Sequence, residues 1–531
     1  MLHEGRVVHT YSVGFRNRKR DLTANENTLY MLASVSKNYL VAAVGILVHE
    51  GKLKWTDTIR KHVPDFDPKG DPRIGEQADF ISILRHSSGL TNPVTSWLGP
   101  YGSVLLPPQD VVKLANTTPV GNSEGLYFNR TWEYSNVGYG VVVKAVENVS
   151  GLPYSRFIEE KILNPLGLRR TFVTKQAVEE DDNVALPYAK LSDGSWVELT
   201  HEWTSEKNSP VLGAFGKRSC VNDLLKWCAA TMAAESGDAG DMKYGILQDI
   251  EANPLKRMKF IRSGHWSRPH KDKFQNRSEY CLGWFLAVMP TSQVTWGSYN
   301  SMTSELETTH HHYILGEDSP KKLMIKHTGL GIGTAVSVHT FPETRSAVVA
   351  LSNGLNVGDA ADFAAQVLIQ ELFNLKPRKD LSPWMELEIN KREKEFDDII
   401  MSLWWENRDV SAPERPRDEF VGNFEGLAIV LTVRKNVRRG TLELMFNQRD
   451  DVVVPLEYYN RDQYSYMPTT RDEWLAGGWL DWDYYMVGIL DFYRNEYGDV
   501  DGLYWQWEQY TPPYLFKKVN LEAVSQKIEG S

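Results

Sequence analysis

Two side chains near the start of the chain have types and spacing suited to acyl-transfer chemistry: Ser34 and, three residues on, Lys37. They open the apolar run from Tyr39 to Val48, closed by His49, Glu50 and Gly51. The pattern predicts a buried helix stopped by glycine, with Ser34 in its first turn. Residues three apart share a helix face, which sets the amine one turn above the hydroxyl and within its reach. A serine hydroxyl attacks carbonyl carbon at neutral pH only if a neighbour takes its proton, and an amine can do so only uncharged. Burial and the positive end of the helix dipole both disfavour the ammonium form, while the same dipole favours a developing alkoxide. The spacing by itself is cheap, since Ser319 and Lys322 repeat it in a polar turn. What sets Ser34 apart is the apolar helix it opens.

A second group, Tyr134-Ser135-Asn136, stands at a turn entering another apolar stretch. A phenol against the Ser-Lys pair can carry a proton to a leaving group, and an amide two residues on can hold Lys37 or a substrate carbonyl. Tyr127-Phe128-Asn129, Tyr458-Tyr459-Asn460 and Tyr493-Arg494-Asn495 match the same pattern, so position favours Tyr134, with Tyr127 as its alternate. The third group, Lys326-His327-Thr328-Gly329-Leu330, reads as a strand followed by small residues. Small side chains let a substrate backbone lie along the strand, where a main-chain N–H can pair with that of Ser34 as an oxyanion hole.

Positioning these groups requires a sizeable scaffold, and 531 residues suffice for two or three domains. Residues 6 to 15 read as the second strand of a hairpin whose first strand is missing. Helices are expected at Ser34 to Val48, near Gln109 to Ala115, after the stretch Thr131 to Gly140 as far as about Val149, from Asn222 to Ala234 and from Ala360 to Leu375. Strands are expected at Leu323 to Lys326, Thr334 to Val338 and Ser346 to Leu351, which together suggest an α+β sandwich. Residues 91 to 130 and 235 to 320 read as loop-rich, the second an excursion from the core. A charged helix from Trp384 to Trp405 leads to the linker Ser411-Ala412-Pro413-Glu414-Arg415-Pro416. Short alternating strands from 419 onward predict a small antiparallel β-barrel, its tryptophans mostly core. The expected domains are 1–378, a helix and linker over 379–418, and a barrel over 419–531.

Composition excludes several classes. A net charge of -10 with no basic stripe argues against a nucleic-acid partner. The longest apolar run is about half a bilayer span, and residues 1 to 30 lack a signal-peptide core, so the chain reads as cytoplasmic without a membrane partner. Cys220, Cys228 and Cys281 have no metal-ligand spacing and read as free thiols. The adjacent His310, His311 and His312 read as a solvated loop. No metal or cofactor is implied.

Taken in order, the three groups resemble the signatures of the serine β-lactamase and penicillin-binding protein superfamily. The likeness is closer to the class C branch and peptidase family S12, whose second motif is Tyr-x-Asn. Leu84-Arg85-His86-Ser87-Ser88-Gly89-Leu90, Trp132-Glu133, Asn164-Pro165-Leu166-Gly167-Leu168, Gly283-Trp284 and Leu351-Ser352-Asn353-Gly354 agree with it. The resemblance covers roughly residues 4 to 375 and implies an antiparallel sheet flanked by helices. It implies Ser34 as nucleophile and Lys37 and Tyr134 as the acid/base pair. Asn136, His327, Thr328 and Gly329 would contact substrate, and the amides of Ser34 and Leu330 would form the oxyanion hole. The C-terminal barrel is similar to the lipocalin-like domains appended to several such proteins. Two departures stand out. His327 replaces the family's usual lysine, as in related esterases, D-aminopeptidases and acyltransferases. The helix and strand that precede the equivalent of Gly5 are missing. The expected activity is hydrolysis of an ester or amide of a small molecule or short peptide through an acyl-enzyme on Ser34. Acyl transfer or peptide cyclisation by the same intermediate, and an inactive binding protein, are the alternatives.

Overall fold

The structure, a computed structural model, describes residues 1–120, 128–199, 209–237, 245–267, 278–295, 297–298, 300, 313–355, 358–479, 484–508 and 511–520. Tyr127, the consecutive histidines 310 to 312 and much of the stretch between 235 and 320 lie outside them. An eight-stranded antiparallel sheet organises the first part of the chain. Its order is Arg6–Val7, Leu2–His3, Ser346–Ser352, Thr334–Phe341, Lys322–Gly331, Phe285–Met289, Ser278–Tyr280 and Trp266–Ser267.

Alternation along the strands explains the layering, because successive side chains leave a strand on opposite faces. Ala287, Met324 and Val348 pack with Ala365 and Ile369 of the helix Ala360–Phe373 on one face. Leu286, Ile325, Ala347 and Val349 join the larger core on the other. That second core holds the helix Ser36–His49, whose residues from Ser36 to Leu47 are all buried. A helix apolar all round belongs inside a protein, and this one ends where Gly51 adopts a left-handed φ of 72°. Beside it runs the helix Asn136–Ser150, capped at its start by Ser135 and at its end by Gly151.

The sequence reading needs three corrections here. The first strand is present: Leu2–His3 pairs with Ala347 and folds back through Glu4 and Gly5 onto Arg6–Val7. That hairpin stops at Val7 rather than 15. The stretch read as an excursion contributes three strands of the main sheet: Trp266–Ser267 and Ser278–Tyr280 are too short to show a period, and Phe285–Met289 is apolar throughout, so it shows no alternation. Ser34 sits in a tight 3-10 turn, Ala33–Val35, just before the α-helix rather than inside it.

Ser382–Glu395 and its continuation to Glu406 form the charged helix. Eight antiparallel strands from Gly422 to Val519 then close into a barrel. Its interior is filled by side chains, among them Phe424, Leu431, Phe492, Leu503, Trp505 and Phe516. The barrel docks against residues 95 to 105: Trp507 O accepts from Thr95 Oγ1 at 2.6 Å, Leu105 O from Asn447 Nδ2 at 2.8 Å, and Val104 O from Arg449 Nη1 at 2.9 Å.

Candidate active site

Ser34, Lys37, Tyr134, Asn136, His327, Thr328 and Leu330 converge at one cleft between the sheet and the helical body. Lys37 lies one turn above Ser34, its Nζ 3.0 Å from Ser34 Oγ, and donates to Asn136 Oδ1 at 2.6 Å. The side chain is fully buried, and desolvation holds its pKa well below the usual lysine value. An uncharged amine that gives one N–H to the acceptor Asn136 keeps its lone pair free for the Ser34 proton. Asn136 is itself held by its backbone N–H, which donates to Asn92 Oδ1 at 3.0 Å.

The Tyr134 phenol faces Ser34, and its ring lies 4.6 Å from Lys37 Nζ. Burial raises its phenol pKa, and the nearby Ser34 hydroxyl offsets this only in part. The two side chains flanking the hydroxyl are therefore pushed apart in acidity: the amine toward its neutral form, the phenol toward staying protonated. Such a divergence separates a base from an acid.

On the sheet side, His327 is buried and shares its face with the larger core, while Lys326 points to the opposite face. Lys326 Nζ there donates to Val294 O and lies near Asp359 and Asp362, so it offers the cleft no cation. His327 Nδ1 donates to Thr328 O at 2.6 Å, which leaves Nε2 a lone pair without a partner among the described residues. Desolvation, then the nearby Lys37, depresses its pKa to about 3, so the ring is neutral at pH 7. Thr328 Oγ1 donates to Gly297 O at 2.5 Å. Gly329 is required by packing: a Cβ there would stand 2.1 Å from Leu32 O, so glycine lets this strand press against the segment that delivers Ser34.

The cleft holds roughly 290 Å³, and Trp97, Leu98, Trp132, Phe215, Phe285 and Leu330 supply most of its wall. No Asp, Glu, Lys or Arg lines it among the described residues. Several contributors carry no signal that sequence reasoning recognised. Asn92, Trp97 and Phe215 come from loop and short helix. His86 lies in a stretch noted for family likeness but given no role. Its Nδ1 accepts from the Ser135 N–H at 3.0 Å, its Nε2 meets Tyr280 Oη at 3.2 Å, and its ring lies 4.2 Å from that of Tyr134. A histidine so bonded holds the turn that presents Tyr134 and Asn136. Among the described residues no group of three or more His, Cys, Asp or Glu could hold a metal, and no helix is long and apolar enough to cross a membrane.

With fold and cleft in place, residues 1–371 match the family model described as Beta-lactamase, and the chain belongs to that family. It is similar to penicillin-binding protein 4* of Bacillus subtilis (strain 168), 28% identical over 191 residues, which cover 35% of this chain and 40% of that protein. A putative D-alanyl-D-alanine carboxypeptidase of Salmonella agona (strain SL483) is 31% identical over 155 residues, covering 28% and 35%. The aligned segments thus span well under half the length of these relatives. Among solved structures, the octameric penicillin-binding protein homologue from Pyrococcus abyssi aligns over 97% of this chain and 94% of its own, with a TM-score of 0.52 and 19% identity. That likeness extends the shared fold through the barrel.

Proposed function

We propose that the protein is a serine hydrolase that cleaves esters or amides whose acyl portion is compact, apolar and uncharged, through an acyl-enzyme on Ser34. The observation that carries this reading is the pairing of Ser34 with a desolvated Lys37 in a cleft whose described wall is aromatic and free of charge. In acylation, Ser34 Oγ bonds to the carbonyl carbon and its proton passes to Lys37 Nζ. Tyr134 gives a proton to the leaving oxygen or nitrogen and is made whole by the proton held on Lys37. Water repeats the sequence in reverse and frees the acid. The amides of Ser34 and Leu330 would hold the oxyanion, and Asn136 would fix the amine.

The relatives named above are a penicillin-binding protein and a putative carboxypeptidase, and substrates with a free carboxylate fit this cleft poorly. A neutral His327 with a bare Nε2 can accept a hydrogen bond from substrate but supplies no cation. The test is a panel in which p-nitrophenyl butyrate or benzoate is compared with D-alanyl-D-alanine peptides and their C-terminal amides. The neutral aryl esters should exceed the free-carboxylate peptides in kcat/KM by at least about 10²-fold, the weight of a buried charge left unpaired. Faster turnover of the free-carboxylate peptides would reject the reading. Acyl products formed with added alcohol or amine would instead mark the acceptor as something other than water.

A further inference from the structure

A second cavity, of roughly 340 Å³, opens behind the catalytic segment rather than in front of it. Its floor is the strand Tyr30–Met31, which leads directly to Ser34, and the turn Ile332-Gly333-Thr334 that follows Leu330. Val178, Val184, Leu186 and Pro187 make one wall apolar. Arg218 lines the other, paired through the backbone with Met31. Its guanidinium makes no hydrogen bond and no ion pair within 4.0 Å among the described residues, although burial lowers its pKa to about 10. Two carboxylates also line the cavity and are paired with other cations, Glu179 with Lys175 at 3.1 Å and Asp181 with Arg170 at 2.9 Å, and the charge of Glu179 acts on Arg218 only through space. Tyr30 also lines the cavity, and its phenol has no hydrogen-bond partner among the described residues. A desolvated guanidinium left without a partner is costly, and its five N–H donors suit a carboxylate.

We propose that this rear cavity is a binding site for a small organic acid, its carboxylate on Arg218 and its apolar body against Val178, Val184 and Leu186. The site stands independently of the reaction assigned to Ser34. An acid bound there would contact both the strand that delivers Ser34 and the turn beyond the Leu330 amide. The probe is phenylacetate, titrated calorimetrically into full-length Ser34→Ala protein, with neutral phenylacetamide and inorganic phosphate as comparison arms. Saturable one-to-one binding of phenylacetate is expected, at least about tenfold tighter than either comparison compound. Arg218→Gln should weaken it by at least about tenfold while leaving the thermal midpoint equal or higher, because the substitution removes an unpaired, desolvated charge. Tyr30→Phe should weaken it by a smaller factor. Phenylacetate binding unchanged in Arg218→Gln would place the acid in the catalytic cleft and overturn the assignment. So would tighter binding of phosphate, or no saturable binding at all.

Discussion

The two flanks of the helix Ser36–His49 each carry a fully buried lysine, and they make different use of it. Lys37, on the cleft side, bonds Ser34 and Asn136. Lys217, packed on the other side with its backbone N–H donating to Ser36 Oγ, gives its own Nζ to Tyr154 Oη at 2.8 Å and lies over the Tyr154 ring. Desolvation lowers both amines, Lys217 to about 7. Burial makes an amine able to take a proton, but chemistry also needs a hydroxyl that meets substrate. Ser34 opens on a cleft, whereas the Tyr154 phenol is buried and its pKa is raised well above the usual value by desolvation.

The contrast can be broken most forcefully at the nucleophile. Ser34→Ala should abolish labelling by a fluorophosphonate and lower ester turnover by about 10⁴-fold or more. Retained labelling would move the nucleophile elsewhere. Next, Lys37→Met should cost on the order of 10³-fold in kcat, while Lys217→Met should keep turnover within a few-fold at 25 °C. Equal losses would mean that the two lysines act only through packing. Tyr134→Phe should reduce kcat about 10²-fold, with the larger deficit on substrates whose leaving group is most basic.

The pH response sharpens the same contrast. A base whose pKa is lowered is active above that value, so kcat/KM should fall as acidification protonates Lys37, and Lys217→Met should leave that limb in place. Stability should report Lys217 instead. Between about 7 and the ordinary lysine value of 10.5, the unfolded chain binds the proton that the folded chain has lost. Stability therefore rises with pH across that window, and the penalty of burying the amine is fully present below it. Urea midpoints compared at pH 7 and pH 10 should differ less in Lys217→Met than in the parent. The smallest effect is expected from His327→Lys, which should raise the preference for free-carboxylate peptides over neutral esters by about tenfold. An unchanged ratio would show that the ring at 327 does not face the substrate terminus.

What was readable in the sequence follows from range. Ser34 and Lys37 are three residues apart, so local spacing brought the amine to the hydroxyl even though Ser34 lies in the 3-10 turn before the helix that carries Lys37. Asn136, at the start of a second apolar helix, comes within 2.6 Å of Lys37 across 99 positions, and only the ordered recurrence of three short motifs hinted at that contact. Trp97, Phe215 and His86 are legible only in space, because the four-residue helices that end in Trp97 and Phe215 and the turn at His86 are too short to show a period. The short strands at Trp266–Ser267 and Ser278–Tyr280 were hidden for a related reason: two or three residues cannot show alternation. Arg218 was invisible as a site residue because nothing in its neighbourhood announces that a cavity will form beside it.

The bond from Thr95 to Trp507 joins the barrel to the very segment that carries Trp97 and Leu98 into the cleft wall. One wall of the cleft is thereby tied to a body more than 400 positions away, and that body can vary without touching Ser34, Lys37 or Tyr134. A change at the barrel rim that meets residues 95 to 105 therefore reaches the cleft wall by way of Trp97 and Leu98.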